Sequence, residues 1–402
     1  MEKSPKGVRL HIAIFGRRNV GKSSVLNALT GQDVSIVSDV PGTTTDPVEK
    51  AMEFLPLGPV LFIDTAGFDD IGALGELRVR KTAKILERAD IALIVTEADT
   101  WGEYEKRWSE EIRRRNIPLL VVLNKIDIKD AQDVIPHLKQ ASLNWVTMSA
   151  TKKINILAVK QSIVNTVPDE WYKQKGILDE IVNAGDTVIL VIPIDKEAPK
   201  GRIILPQVQT LRDILDKKAN ALVTNEVGLP DAISMLKTKP RIVITDSQVF
   251  KEVAEATPLD IPMTSFSIVF ARYKGDLKVL IEGAKRIETL KETDKVLISE
   301  ACTHHPIGDD IGRKKIPAWL TAKVGKNIRI DVVAGHDFPD NLNEYSLVIH
   351  CGACMFNRRE MLSRILTCQQ KGVPITNYGI AIAYLHGILE RAIRPFGLNV
   401  QG

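Results

Sequence analysis

Three cysteines and two histidines are spaced to share one soft metal centre. His350-Cys351-Gly352-Ala353-Cys354 sets two thiols three residues apart, with two small residues that let the backbone wrap closely between them. Upstream, Cys302-Thr303-His304 ends another apolar run, so the two stretches together read C-x-H…H-C-x-x-C. Thiolate is a soft ligand and selects iron–sulfur clusters or zinc. The remaining thiol, Cys368, falls in a helical stretch, where a small core residue is expected. His305 and His336 read as incidental.

A second chemistry stands near the start. Gly16-Arg17-Arg18-Asn19-Val20-Gly21-Lys22-Ser23 matches the phosphate-binding pattern G-x-x-x-x-G-K-[ST]. It lies between an apolar run, residues 8–15, and a helical one that begins with Ser23 and Ser24. Successive N–H groups and a helix N-terminus supply positive potential for phosphate oxygens. Lys22 is expected to reach the β and γ phosphates, and the Ser23 hydroxyl to ligate magnesium. Downstream, Leu61-Phe-Ile-Asp64-Thr-Ala-Gly67 ends an apolar run in an Asp that can hold magnesium through water. The Gly67 backbone can face the γ-phosphate. Asn124-Lys125-Ile126-Asp127 closes a further apolar run. An ionised Asp only accepts hydrogen bonds, and guanine offers two adjacent donors where adenine offers neither, so Asp127 selects GTP. Ser149-Ala150 fits the loop that covers the guanine.

This ordered set resembles the translation-factor-like GTPases, and within them the branch of tRNA-modification and ribosome-assembly GTPases. Gly42-Thr43-Thr44-Thr45-Asp46 is similar to that branch's first switch, where Thr43 or Thr44 would meet magnesium and the γ-phosphate. Phe68 stands where many GTPases carry a water-orienting glutamine. Asn19 stands where potassium-activated relatives use a cation ligand. The resemblance implies GTP hydrolysis to GDP and phosphate with Mg2+, stimulated by K+ in place of an arginine finger.

The elements that must position these residues follow from length and pattern. A chain of 402 residues is too long for one core. Apolar runs alternate with helical stretches throughout, which predicts parallel sheets with ligands at the carboxyl ends of the strands. We expect an α/β protein: a P-loop GTPase domain over 1–170, then two smaller α/β domains with mainly parallel sheets. Residues 175–260 carry no catalytic constellation and are expected to hold subunits together. Residues 261–402 carry the thiols at the ends of strands near 294–300 and 344–349. A net charge of +4 with no long basic block argues against a nucleic-acid or lipid surface. No apolar run has the length of a membrane span, and the first ten residues lack a signal-peptide core. Four cysteines do not suggest a disulfide framework, so a reducing cytoplasm is expected.

A GTPase core, a middle α/β segment and a terminal C-x-H…H-C-x-x-C together resemble the HydF family, GTPases that mature iron–iron hydrogenases. Pro199-Lys-Gly…Ile-Leu-Pro-Gln-Val-Gln209 and Phe270-Ala-Arg-Tyr-Lys-Gly-Asp276 are similar to that family too. The resemblance implies a 4Fe–4S cluster on Cys302, Cys351 and Cys354. It also implies a homodimer or higher oligomer that carries a two-iron precursor to apo iron–iron hydrogenase, alongside radical-SAM maturation enzymes. Three thiolates leave one iron without a cysteine, so a replaceable ligand is expected there: His304, His350 or Asp310. A histidine outside that role would support the cluster by hydrogen bonding. The alternative is a ribosome- or RNA-associated GTPase with a structural Cys₃His zinc. A low aromatic content of 5% and Gly72-Ala-Leu-Gly75 as the sole GxxG considered for an RNA module argue against it. A redox enzyme would favour four cysteine ligands where three are placed.

Overall fold

β1 (Leu10–Phe15) is buried at all six positions, because both faces of its sheet are covered. Leu10, Ile12 and Ile14 pack on one side with Val25, Leu26 and Leu29 of the helix Lys22–Thr30 and Val159 and Ile163 of the helix Ile156–Thr166. Ala13 and Phe15 pack on the other with Trp108 and Ile112 of the helix Glu103–Arg114 and Val134 and Leu138 of the helix Val134–Gln140. Cover on both faces is why the strand reads as a nearly continuous apolar run, interrupted by the buried His11. The sheet adds β2 (Val48–Phe54), β3 (Gly58–Asp64), β4 (Ile91–Glu97), β5 (Leu119–Asn124) and β6 (Asn144–Thr147) in the order β2-β3-β1-β4-β5-β6. Only β2 runs antiparallel, against β3.

The structure, a computed structural model, describes residues 6–31, 48–65, 84–172, 176–193, 203–301, 310–324 and 328–400. Thr43, Thr44, Gly67, Cys302 and His304 lie outside them, as do Phe68 and the stretch 72–75. The chain divides into two compact units, Met1–Gln174 and Lys175–Gly402. Among the described residues no helix is long and apolar enough to cross a membrane.

The second unit holds two four-stranded sheets, all parallel. The first has β7 (Thr187–Val191), β8 (Asn220–Thr224), β9 (Ile242–Thr245) and β10 (Met263–Ser265) in the order β10-β9-β7-β8. The second has β11 (Lys295–Glu300), β12 (Arg329–Ala334), β13 (Leu347–His350) and β14 (Ile375–Asn377) in the order β12-β11-β13-β14. Both therefore use one topology, second-first-third-fourth strand in chain order. The final strands echo each other in sequence: Pro262-Met-Thr264-Ser265-Phe266 and Pro374-Ile-Thr376-Asn377-Tyr378. Ser265 caps the helix Phe266–Lys274 by accepting from Ile268 N at 3.3 Å. Asn377 caps the helix Tyr378–Leu385 by accepting from Ile380 N at 2.9 Å, and its Nδ2 donates to Ser267 O at 2.9 Å, joining the two turns. One core joins the halves: Ile189, Val191, Val243 and Met263 from the first sheet meet Leu297, Val348 and Ile375 from the second. The expected break at 260/261 falls between β9 and β10, which are hydrogen-bonded neighbours.

Candidate nucleotide site and metal centre

The phosphate loop leaves β1 through two glycines where a side chain would collide with its surroundings. A Cβ at Gly16 would lie 2.2 Å from Val95 O, and one at Gly21, where φ is +94°, 2.5 Å from Asn124 Nδ2. Asn19, at φ +63°, is also left-handed, and Val20 is buried. Lys22 folds back over the loop, its Nζ donating to Gly16 O at 2.9 Å and Arg17 O at 2.8 Å. Ser23 and Ser24 are exposed on the first turn of the helix. Ser23 Oγ donates to Asp64 Oδ2 at 2.9 Å, while Asp64 Oδ1 is buried with no hydrogen-bond partner among the described residues. Burial raises the Asp64 pKa, against the Ser23 hydrogen bond and the Lys22 charge, which lower it. A buried carboxylate oxygen without a donor, beside a hydroxyl, fits a hard cation and its water.

On the guanine side, Asn124 closes β5 and is buried. Its Nδ2 donates to Val20 O at 2.9 Å and its Oδ1 accepts from Ala150 N at 3.0 Å, so one amide ties the phosphate loop to the loop after β6. Lys125 sits at φ +66° and is ion-paired to Glu97, which Lys129 also holds. Those two ammonium groups keep the Glu97 carboxyl below its usual range. Asp127 is exposed, with its carboxylate open to a ligand, and Ser149 is buried, accepting from Lys152 N at 3.1 Å. Motifs far apart in sequence thus meet at the carboxyl ends of β1, β3, β5 and β6. Sequence reasoning missed Glu105: it is buried, grips Arg17 of the phosphate loop through two bonds of 2.8 and 3.0 Å, and caps its own helix through Gly102 N. An acid three residues after Gly102 was the available signal.

In the second unit β13 ends in the expected thiols. His350 pairs with Ser299 of β11, and Cys351 N donates to Ser299 O at 2.8 Å. Ala301 N lies 3.0 Å from Cys351 Sγ, donating to it, and the next residue in the chain is Cys302. Cys351 and Cys354 are half-buried, and Ala353 between them adopts φ +52°. An N–H aimed at sulfur on a tight loop fits a thiolate ligand. Among the described residues no three His, Cys, Asp or Glu side chains form a metal-sized group.

His350, expected among the metal ligands, is fully buried and committed through both ring nitrogens. Nδ1 donates to Cys351 O at 2.8 Å and Nε2 accepts from Arg364 at 3.1 Å. A carbonyl only accepts and a guanidinium only donates, so the ring is the neutral Nδ1–H tautomer with no lone pair to offer a metal. Burial, then the Arg364 charge, lowers its pKa to about 3. Asp310 caps the turn Ile311–Lys315, accepting from Arg313 N at 2.8 Å. Cys368 is fully buried in the helix Arg358–Gln370 and pushed up to about 12 by burial, a core residue as expected. His336, read as incidental to the metal, bonds buried Glu360 at 2.8 Å and stacks on Phe356.

Two further residues were missed. Arg364 donates to Ser299 Oγ at 2.9 Å and Gly335 O at 2.8 Å and lies over the rings of Phe338 and Phe356. Lys274 is buried beneath the cysteine loop, and burial lowers its pKa to about 8. Its stretch, Phe270–Asp276, already stood out as family-like, but nothing local marks Lys274 as buried.

Residues 11–125 match the profile of the 50S ribosome-binding GTPase family. Residues 177–275 match the hydrogen maturase F dimerization domain, and 278–395 the hydrogen maturase F tetramerization domain. GTPase Der of Wolinella succinogenes is 37% identical over 177 residues, 41% of this chain and 37% of that protein. The tRNA modification GTPase MnmE of Synechocystis is 36% identical over 163 residues, 39% of this chain and 34% of that protein. GTPase Era of Borreliella burgdorferi is 30% identical over 228 residues, 53% of this chain and 78% of that protein. The chain thus spans about a third of the length of the first two. Profiles named for dimerization and tetramerization support oligomer formation. Those two profiles, behind a GTPase unit of the Era and MnmE branch, make this chain a member of the HydF family of hydrogenase maturation GTPases.

Proposed function

We propose that the chain is a GTP-hydrolysing carrier that binds a 4Fe–4S cluster and assembles or delivers the two-iron precursor to apo iron–iron hydrogenase. The observation that carries this reading is the 3.0 Å approach of Ala301 N to Cys351 Sγ, because Cys302 is covalently next. Cys302, Cys351 and Cys354 would hold the cluster, with His304 or Asp310 at the replaceable position. His350 would act through the Cys351 carbonyl. A replaceable corner lets cargo or a partner ligand enter without unfolding the site. Radical-SAM maturation enzymes would supply the cargo chemistry, and residues 175–260 would hold subunits together. Three thiolates require a reducing compartment, so we assign the protein to the cytoplasm.

In the nucleotide unit, Ser23 and Asp64 would hold Mg2+, which offsets phosphate charge when bound. Lys22 would move from its loop carbonyls to phosphate. Asn124, Lys125, Asp127, Ser149 and Ala150 would hold the guanine. Thr43 or Thr44, with Gly67, would sense the γ-phosphate, and its loss would release them, a switch that can alter partner affinity. Asn19 would ligate K+.

Anaerobic reconstitution with iron and sulfide tests the carrier reading. A broad thiolate-to-iron absorbance with an iron EPR signal, lost in Cys302→Ser, is expected. A colourless chain holding one zinc would overturn it and favour the ribosome-associated alternative. Equal GTP turnover in potassium and sodium would remove the K+ assignment.

A further inference from the structure

Lys274 is a buried charge that neither the nucleotide chemistry nor the thiols explain by themselves. Its side chain is 1% exposed. Its Nζ donates to the carbonyl oxygens of Ala353 at 3.0 Å, Cys354 at 3.2 Å and Phe356 at 2.7 Å. Those three bonds use all the donors an ammonium has. The Phe270 ring lies 5.7 Å away. Among the described residues no carboxylate is ion-paired to it. An ammonium taken out of water without a counter-ion is costly, and carbonyl dipoles offset only part of that cost. Cys354, Cys351 and Glu360 are the nearby groups whose negative charge, once ionised, favours its protonated form. Lys274 ends the helix Phe266–Lys274, which leaves β10 of the first sheet, whereas the loop it grips leaves β13 of the second. One side chain thus ties the cysteine loop to the other half of the unit.

We propose that Lys274 is a positioning residue for the Cys351–Cys354 pair: it pins the backbone of the loop and sets a fixed positive charge against the thiolates. This rests on the reading of those cysteines as cluster ligands. A cation beside an iron–sulfur centre stabilises its more negative, reduced form, and net charge is one of the levers on reduction potential. Partners that orient metal ligands are commonly worth about 10–100-fold in affinity.

The test uses the full chain, reconstituted anaerobically with iron and sulfide. Wild type is compared with Lys274→Gln, which keeps donors and loses charge, Lys274→Arg, which keeps charge, and Cys351→Ser. Iron retention against a chelator and the potential of the EPR-monitored reduction are read, with far-UV circular dichroism as the folding check. Lys274→Gln is expected to weaken iron retention about 10–100-fold and to shift the potential negative, with Lys274→Arg near wild type. Wild-type retention and potential in Lys274→Gln, with iron lost in Cys351→Ser, overturn this proposal alone. Equal iron in wild type and Cys351→Ser overturns the cluster reading, and this proposal with it. Should Lys274→Gln fail to fold, Lys274→Arg decides by potential: a folded Arg variant that holds iron at the wild-type potential supports the proposal, and one that holds iron at a clearly more negative potential, with the charge kept, overturns it.

Discussion

Ser23 Oγ donates to Asp64 Oδ2 across 2.9 Å, joining the first turn after the phosphate loop to the end of β3. The other oxygen of Asp64 is buried and has no partner among the described residues. We expect Asp64→Asn to keep the fold, since the amide can still accept from Ser23. It should lower Mg2+-dependent GTP turnover about 100-fold, the scale of removing one preorganised electrostatic contact. Steady-state rates across a Mg2+ titration check this; an unchanged rate would detach Asp64 from the metal.

Asp127 is exposed at the end of the Asn124–Asp127 turn and presents acceptors only. Xanthine carries a carbonyl where guanine carries its 2-amino group. Asp127→Asn should therefore lose GTP and gain XTP, shifting the ratio of their kcat/KM values by about 10⁴. A variant that still prefers GTP would mean that another group reads the base.

His350 makes the second unit acid-sensitive. Its pKa falls from 6.5 to about 3 in the fold, through burial and then the Arg364 charge. The folded state thus refuses a proton that the unfolded chain accepts. The contribution to stability is full above pH 6.5 and is lost as pH falls through that value toward 3. At one pKa unit per ~1.4 kcal/mol, the loss at a pH two units below the unfolded value is about 2–3 kcal/mol. Urea unfolding of the metal-free chain at both pH values measures it. His350→Gln, which can donate to Cys351 O and accept from Arg364 without titrating, should flatten the difference; equal pH slopes in the two chains would refute the assignment.

Gly283 lies on the helix Leu277–Lys285, where a Cβ would be 1.9 Å from Ile375 O and 2.5 Å from Ile375 C. The obstacle is strand backbone and cannot rotate away. Gly283→Ala should destabilise the second unit by about 1–3 kcal/mol, the usual cost of overpacking. Its signature is a lower urea midpoint with an unchanged slope. A midpoint equal to wild type would mean that β14 is loosely seated.

The candidate nucleotide site was legible in the sequence because its chemistry is local. The residues from Gly16 to Ser23, and those from Asn124 to Asp127, each shape one short loop, and largely apolar runs flagged the buried strands β1, β4 and β5 that carry or flank them. β2 escaped because Glu49, Lys50 and Glu53 interrupt its apolar pattern, and β10 and β14 because three residues are too few for a period to show. The thiol spacing raised the expectation of a soft metal half-site, but spacing cannot say which imidazole nitrogen is already bonded. His350 looked like a ligand until Arg364, on a helix packed against its strand, took its second nitrogen. Lys274 was unreadable for the same reason. Its three partners stand 79 to 82 residues away in the chain, and only tertiary packing, which removes water from an ammonium and leaves it carbonyls to bond, decides that it belongs beneath the cysteines.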